Sequence, residues 1–170
     1  MLKIVGGCLV LIGSAGVGWY MAGCSALRIR MLEELEGLLQ QLYGEIEYAG
    51  CDMVELLRKL TREARYFRKM WQGVADQLES RSAGRFQKIW QQELQQRELL
   101  LLKREEKILL TELGQTLGQV DRQTQLYTLE LYQKRLTEIL RHAREEYHGQ
   151  AKVYRVVGIT VGFFVVILLI

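Results

Sequence analysis

The side chains that most often carry out catalysis are few in this chain of 170 residues, and their spacing does not suit it. Its two histidines, His142 and His148, are six residues apart, so a helix places them on opposite faces. A helical metal site needs ligands at i and i+4 instead. No C-x-x-C pair occurs, and three cysteines cannot form a paired disulfide framework. The sequence therefore predicts no metal site, no cofactor and no disulfide scaffold.

Phosphate-binding chemistry is predicted to be absent as well. Gly16-Val17-Gly18 is the nearest approach to a glycine-rich loop, but Met21 stands where the third glycine belongs. Acidic side chains are frequent, as in any charged helix, and nothing distinguishes one pair as an acid and base. With 23 basic and 20 acidic residues, the net charge of +3 gives no signature of nucleic-acid binding. We predict a protein that is not an enzyme and binds neither nucleic acid nor a small-molecule substrate.

The two ends of the chain are apolar enough to suggest membrane segments. Residues 4–27 contain no charged side chain over 24 positions, which is long enough for a helix that spans a bilayer. Residues 156–170 are also uncharged, but 15 residues rise only about 22 Å as a helix. We predict a transmembrane helix in 1–27, a cytoplasmic helical bundle in 28–155 and a C-terminal hydrophobic membrane segment in 156–170.

The orientation follows from the basic residues beside these segments. Arg28 and Arg30 follow the first segment, and Lys152 and Arg155 precede the second, whereas Lys3 alone lies on the far side. Since basic residues beside a span stay on the cytoplasmic side, the middle of the chain is predicted to be cytoplasmic.

A second interpretation of the N-terminus starts from Cys24. Met21-Ala22-Gly23-Cys24 resembles a lipobox, at which a bacterial signal peptide is removed and the cysteine is acylated. Against this, Lys3 is the only basic residue ahead of it, and the many glycines make a weak signal core. The alternative hypothesis is an extracytoplasmic helical scaffold or binding protein, anchored as a lipoprotein through Cys24.

Small residues recur at four-residue spacing within both apolar segments, which places them on one helix face: Ser14, Gly18, Ala22 and Ala26 in the first, and Gly158 and Gly162 in the second. Such a face lets another helix backbone approach closely. Either the two segments pack together or against another membrane subunit, or the pattern reflects the general frequency of glycine in membrane helices.

The middle of the chain is predicted to be all-α, an antiparallel bundle of about six helices. The chain has no proline, the residue that most often marks turns and strand edges. Asp52 and Asp121 are predicted N-caps, and Trp71 and Trp90 are predicted to fill the core. Apolar residues of the last helix step by three or four and form one stripe: Leu126, Leu129, Tyr132, Leu136, Leu140, Ala143, Tyr147, Ala151 and Tyr154.

Charge is unevenly distributed along the first half of the middle region. Residues 31–57 carry seven acidic and no basic side chains, and residues 58–69 carry six basic side chains and Glu63. Adjacent antiparallel helices that neutralise each other would explain this pattern. The alternative is that the acidic face meets a basic partner, or that the basic helix meets anionic lipid head groups.

One segment carries a family resemblance. Residues 113–125, LGQTLGQVDRQTQ, resemble the glycine-spaced LGxxLGxxDxxxQ signature of the stage III sporulation protein AB family. Glu45-Ile46-x-Tyr48 followed by Leu56, and Trp90-x-x-x-Leu94, fit the same pattern. The length and the two apolar ends agree as well, so the resemblance covers essentially the whole chain. Cys24 in its lipobox-like setting is the one departure.

The resemblance implies a role in sporulation. Members of this family are membrane components of the assembly that joins mother cell and forespore, so the expected location is the outer forespore membrane, with the bundle in the mother-cell cytoplasm. Their soluble domain is similar to the helical domains of type II secretion and type IV pilus platform proteins. The implied function is a noncatalytic platform that couples a secretion-type ATPase to other membrane subunits of the complex and contacts membrane lipid.

The residues that carry the motif have structural and partner-binding interpretations. Gly114 and Gly118 are four apart and form a flat helix face, and Gly118 is placed to end a helix before Asp121. This structural role is favoured over direct partner contact. Glu45, Tyr48 and Gln125 remain open between internal hydrogen bonding and exposed contacts.

Overall fold

The computed structural model is all-α over the residues that it describes, which are 2–49, 52–80, 86–95, 99, 101–117 and 121–169, with side chains mainly between 22 and 147. Within these ranges there are six α-helices, one π-helical turn and no strand. In chain order they are α1 (Leu2–Gly44), the π-helical turn (Glu45–Ala49), α2 (Met53–Glu63), α3 (Arg68–Ser80), α4 (Phe86–Leu94), α5 (Arg104–Leu117) and α6 (Arg122–Leu169). The predicted all-α fold is thus confirmed.

The chain forms two compact units. The bundle unit is Arg30–Leu140, and the terminal unit combines Met1–Ile29 with Arg141–Ile170. Within the bundle unit, consecutive helices pack against each other from α2 to α5. Because the connections are short, each of these helices lies beside the next one along the chain.

Helix starts in the bundle unit follow from side-chain caps. Asp52 precedes α2, and its carboxylate accepts a hydrogen bond from the backbone N–H of Val54 at 3.4 Å. Ahead of α5, the Glu106 carboxylate accepts the backbone N–H of Lys103 at 2.6 Å, although Glu106 is only 1% exposed. This cap marks the start of α5 at Arg104.

Leucines are the most frequent residues in the core of the bundle unit, and its two tryptophans are the largest. Trp71 of α3 and Trp90 of α4 are fully buried, with ring centroids 5.2 Å apart in an edge-to-face arrangement. Of the stripe predicted for α6, four residues are buried in this unit, Leu129, Tyr132, Leu136 and Leu140, and Leu126 is half-buried. The sequence pattern therefore identified the face of α6 that packs inward.

Some of the acidic and basic side chains in residues 31–69 form ion pairs with each other inside the bundle unit. Lys59 of α2 lies 2.9 Å from the carboxylate of Glu45, which fits mutual neutralisation. Glu34 instead accepts hydrogen bonds from three successive backbone N–H groups, those of Arg65, Tyr66 and Phe67, at 2.8–3.0 Å. An acidic residue of α1 thus holds the turn that leads into α3.

The terminal unit has its own polar and apolar contacts. Arg28 of α1 lies 3.5 Å from the Glu146 carboxylate of α6, and Ala143 is buried. Ser14 and Gly18 lie in α1, and Gly158 and Gly162 in α6, but their packing is outside what the structure describes. Ala22 is half-buried. Within the described part of the chain, no helix combines the length with the apolar character that crossing a bilayer needs.

Candidate functional site

The family motif begins at a close contact between α4 and α5. Gly114 is buried, and a Cβ atom at this position would lie 2.2 Å from Cδ1 of Trp90. The indole N–H of Trp90 donates a hydrogen bond to the carbonyl of Leu110 at 2.8 Å, one turn before Gly114. A glycine is therefore required here because the indole ring lies directly on the backbone of α5.

The next part of the motif joins α5 to α6. The Asp121 carboxylate accepts hydrogen bonds from the backbone N–H of Gln123 at 3.0 Å and that of Thr124 at 3.2 Å, and from the Thr124 hydroxyl at 2.7 Å. It is the N-cap that the sequence predicts. The side-chain amide of Gln125 donates to the carbonyl of Leu117 at 3.1 Å. Gln125 thereby satisfies a carbonyl at the C-terminal end of α5.

The hydrogen bonds at the start of α6 favour the ionised form of the Asp121 carboxylate. The hydrogen bonds from the Thr124 hydroxyl and backbone, together with that from Gln123, lower the pKa of Asp121 below its usual value. The cap is therefore charged at neutral pH, where it also interacts favourably with the N-terminal end of the α6 dipole.

The second set of motif residues lies in the π-helical turn after α1. Glu45 is half-buried and paired with Lys59, whereas Tyr48 is 83% exposed. The charge of Glu47, and a hydrogen bond to its carboxylate, raise the pKa of the Tyr48 phenol. Turns of this type are rare and occur frequently at functional sites.

Arg122 brings the two sets of motif residues together, because its guanidinium donates a hydrogen bond to the backbone carbonyl of Glu47. We call the resulting region the motif end of the bundle unit, and define it as Glu45–Ala49, 113–117 and 121–125. Sequence reasoning did not single out Arg122, and the only available signal was its place beside Asp121. Gly118, the other predicted glycine, lies outside the described residues.

The motif end carries one large exposed aromatic side chain among its described residues, that of Tyr48. Over the described part of the chain, no three His, Cys, Asp or Glu side chains are grouped so that they could hold a metal ion. His142 is exposed, 3.7 Å from Glu145 on its own helix. Cys24 is a free, half-buried thiol in α1. The turn that carries the exposed Tyr48 is held to the start of α6 by the hydrogen bond from Arg122 to the Glu47 carbonyl.

Comparison with known proteins agrees with the motif. The family model for stage III sporulation protein AB matches residues 3–170. No curated protein and no solved structure gives a significant match, so the resemblance to secretion and pilus platform domains remains a prediction. Because the match covers essentially the whole chain, including the motif end and both apolar ends, the protein belongs to the stage III sporulation protein AB family.

Proposed function

We propose that this protein is a noncatalytic, membrane-anchored platform subunit of the sporulation complex, and that its bundle unit binds a secretion-type ATPase. The family match over residues 3–170 is the observation that carries the proposal, since it assigns the chain to sporulation. The coupling role is supported by the resemblance of the family to platform proteins. Catalysis is not part of the proposed role.

The motif end is the proposed contact with the ATPase. Its Gly114, Asp121 and Gln125 are engaged in packing and capping, whereas Tyr48 projects into solvent. Tyrosine is enriched at binding hot spots because it buries a large rigid area and keeps a polar tip. A bound ATPase surface would cover Tyr48 without disturbing the joint beneath it.

Membrane anchoring through 1–27 and 156–170 is part of the same proposal. It is supported by the lack of charge in 4–27 and 156–170 and by the basic residues beside them. The proposed location is the outer forespore membrane, with the bundle unit in the mother-cell cytoplasm.

The ATPase contact is tested by binding, with the full chain in zwitterionic nanodiscs and the purified secretion-type ATPase of the same complex. We expect binding at low and moderate salt, and we expect Tyr48→Ala to weaken it by about tenfold or more. Tyr127→Ala is the matched control, because Tyr127 is also exposed, at 72%. Absence of binding by the wild-type chain, or equal losses in the two variants, would count against this contact.

Topology is tested separately in non-sporulating cells that express the chain, because an impermeant reagent added outside cannot reach either face of the outer forespore membrane. A chain without Cys8, Cys24 and Cys51 receives one new thiol at the exposed position Gln91 and is treated with an impermeant maleimide. Protection until the membrane is permeabilised is expected for a cytoplasmic bundle. Labelling of intact cells would overturn that location, and loss of metabolic acyl label in Cys24→Ala would support the lipoprotein alternative.

A further inference from the structure

A basic turn joins α2 to α3 in the bundle unit. We define it as residues 62–69, in which one acidic residue, Glu63, accompanies four basic residues: Arg62, Arg65, Arg68 and Lys69. All five are exposed. The basic turn shares no residue with the motif end, and it presents a net charge of +3 on the surface of the bundle unit.

Neutralisation inside the bundle unit accounts for only part of the positive charge in residues 58–69. Arg58 and Lys59 pair with carboxylates, at 3.4 Å from Asp76 and 2.9 Å from Glu45. The three arginines of the basic turn, by contrast, form no ion pair with the residues that the structure describes. Their charges therefore remain for a partner outside the chain.

Contacts within the bundle unit hold the basic turn in place without neutralising it. The Glu34 carboxylate of α1 accepts the backbone N–H groups of residues 65–67 at 2.8–3.0 Å, and Nε of Arg68 donates to the carbonyl of the α2 C-cap at 2.8 Å. Residues 30–34 of α1 and the basic turn together carry five basic and three acidic side chains. The net charge where the two segments meet is therefore +2.

The contact with Glu34 places the basic turn close to an apolar end of the chain. Glu34 and the uncharged segment 4–27 both belong to α1, and Glu34 follows Leu27 by seven residues. Seven helical residues rise about 10 Å. The head groups extend about 5–8 Å beyond the hydrocarbon core of a bilayer, and the Debye length is about 8 Å at physiological ionic strength. A bilayer that holds 4–27 would therefore bring lipid phosphates within the electrostatic reach of the basic turn.

We propose that the basic turn binds the head groups of anionic phospholipids, an inference that rests on the proposed membrane anchoring through 1–27. Clusters of arginines and lysines directly beside a membrane helix are typical of such binding. Arginine suits it because its planar guanidinium donates paired hydrogen bonds to phosphate oxygens. The Arg65 guanidinium also lies over the ring of half-buried Tyr66, 5.5 Å from its centroid. Tyrosine is enriched at the level of lipid head groups.

An acidic protein would match the same charge but is the weaker candidate. The proposed anchor belongs to the same chain as the basic turn, so it keeps lipid head groups at a high local concentration, whereas a separate protein must first be recruited. The inference does not depend on the ATPase contact at Tyr48, which is tested by a different measurement. Failure of that contact would leave the lipid contact unchanged.

The test uses the full chain with one donor fluorophore near the basic turn. A chain without Cys8, Cys24 and Cys51 receives a single thiol by Gln72→Cys, at an exposed position one turn after Arg68. It is placed in phosphatidylcholine nanodiscs that contain a little phosphatidylglycerol or phosphatidylcholine with an acceptor on its acyl chain. Energy transfer then reports which lipid collects beside the basic turn. We expect phosphatidylglycerol to be enriched about threefold or more, and the enrichment to narrow at high salt.

Three double variants make the test specific to the basic turn. Arg65→Gln/Arg68→Gln should remove most of the enrichment and leave the chain folded, because both side chains are exposed. Arg65→Lys/Arg68→Lys keeps both charges and should retain at least about half of the enrichment. Lys88→Gln/Arg104→Gln is the matched control, since it removes two charges at exposed positions of α4 and α5 and should change nothing.

Each contrary result overturns the proposal in a recognisable way. A chain that enters the nanodiscs without enriching phosphatidylglycerol overturns the lipid contact alone, whereas a chain that enters no nanodisc overturns the anchoring as well. Equal losses in the control and in Arg65→Gln/Arg68→Gln would assign the enrichment to total charge. Loss of the enrichment in inorganic phosphate, but not in sodium chloride of equal ionic strength, would assign the basic turn to free phosphate. Binding of a polyglutamate peptide through Arg65 and Arg68, without lipid enrichment, would assign it to an acidic protein.

Discussion

Two regions of the bundle unit carry parts of the same family motif and are built differently. At the contact between Trp90 and Gly114, a fully buried indole lies directly on a helix backbone and no space remains for a methyl group. At the π-helical turn, Tyr48 is almost fully exposed beside a Glu45–Lys59 ion pair. The first region restricts a residue by packing, whereas the second leaves a side chain for contacts outside the bundle unit.

Membership of the family motif therefore does not identify a binding site by itself. Gly114 belongs to the motif because Trp90 occupies the place of a side chain, and Asp121 because it caps α6. Tyr48 has no such structural explanation, since it is solvent-exposed. Variants that compare stability with binding should therefore separate the two regions, and the loss of stability should decrease from Gly114 to Tyr48.

The largest loss of stability is expected for Gly114→Ala. Its new methyl group would overlap the Trp90 ring, which is surrounded by core residues, so the free energy of unfolding should fall by about 3 kcal/mol. Gly37→Ala is the control, because a Cβ there meets nothing within 4 Å and should stabilise α1 by at most about 1 kcal/mol. Denaturant unfolding followed by far-UV circular dichroism measures both. If Gly114→Ala and Gly37→Ala change the free energy of unfolding equally, Gly114 is not more tightly packed than Gly37.

The second largest loss is expected at the contact between Glu34 and the turn before α3. Glu34→Ala leaves the backbone N–H groups of Arg65, Tyr66 and Phe67 without their carboxylate, and a loss of about 2 kcal/mol is expected. Glu34→Gln keeps one acceptor oxygen and should lose less. Hydrogen exchange at Tyr66 and Phe67 reports the local effect. Unchanged exchange in Glu34→Ala would show that packing alone holds the start of α3.

The cap at Asp121 should have a smaller and pH-dependent effect. Its pKa is lowered in the folded protein, so its stabilising contribution is complete above the unfolded pKa of about 4 and is lost as pH falls through the lower folded value. Asp121→Ala should lower the Tm by a few degrees at pH 7, and the difference should narrow below about pH 4. Asp121→Asn, which caps without a charge, should remove this acid dependence. A difference for Asp121→Ala that stays constant from pH 7 to pH 2 would contradict the assignment.

The smallest change in stability is expected for substitution of the exposed Tyr48. Tyr48→Ala should leave the Tm within about 1 °C of wild type, because the side chain is exposed. In the wild-type chain, Glu47 raises the pKa of Tyr48, so Glu47→Gln should bring that pKa back toward 10. Titration of ring-labelled tyrosine by NMR measures the shift. If the pKa of Tyr48 does not change in Glu47→Gln, the Glu47 carboxylate does not interact with the Tyr48 phenol.

Much of the local structure could be predicted from the sequence, because it depends on neighbouring residues. The stripe of α6 gives its buried face, and Asp52 and Asp121 mark two helix starts. Contacts between distant residues could not be predicted. Glu34 and Phe67 are 33 residues apart, and Arg122 and Glu47 are 75 apart, so only the folded chain brings them together. No local sequence pattern predicted the π-helical turn or the exposure of the Ile108 side chain.

The tryptophan pair gives this protein an internal optical reporter. Trp71 and Trp90 are buried with their rings 5.2 Å apart, so their electronic transitions couple and should produce strong near-ultraviolet circular dichroism. Removal of Trp19, the third tryptophan, by Trp19→Phe would leave the emission of this pair alone. Blue-shifted fluorescence would then follow α3, α4 and α5 in real time while a partner binds elsewhere on the surface. The core can thus be observed during function without an attached dye.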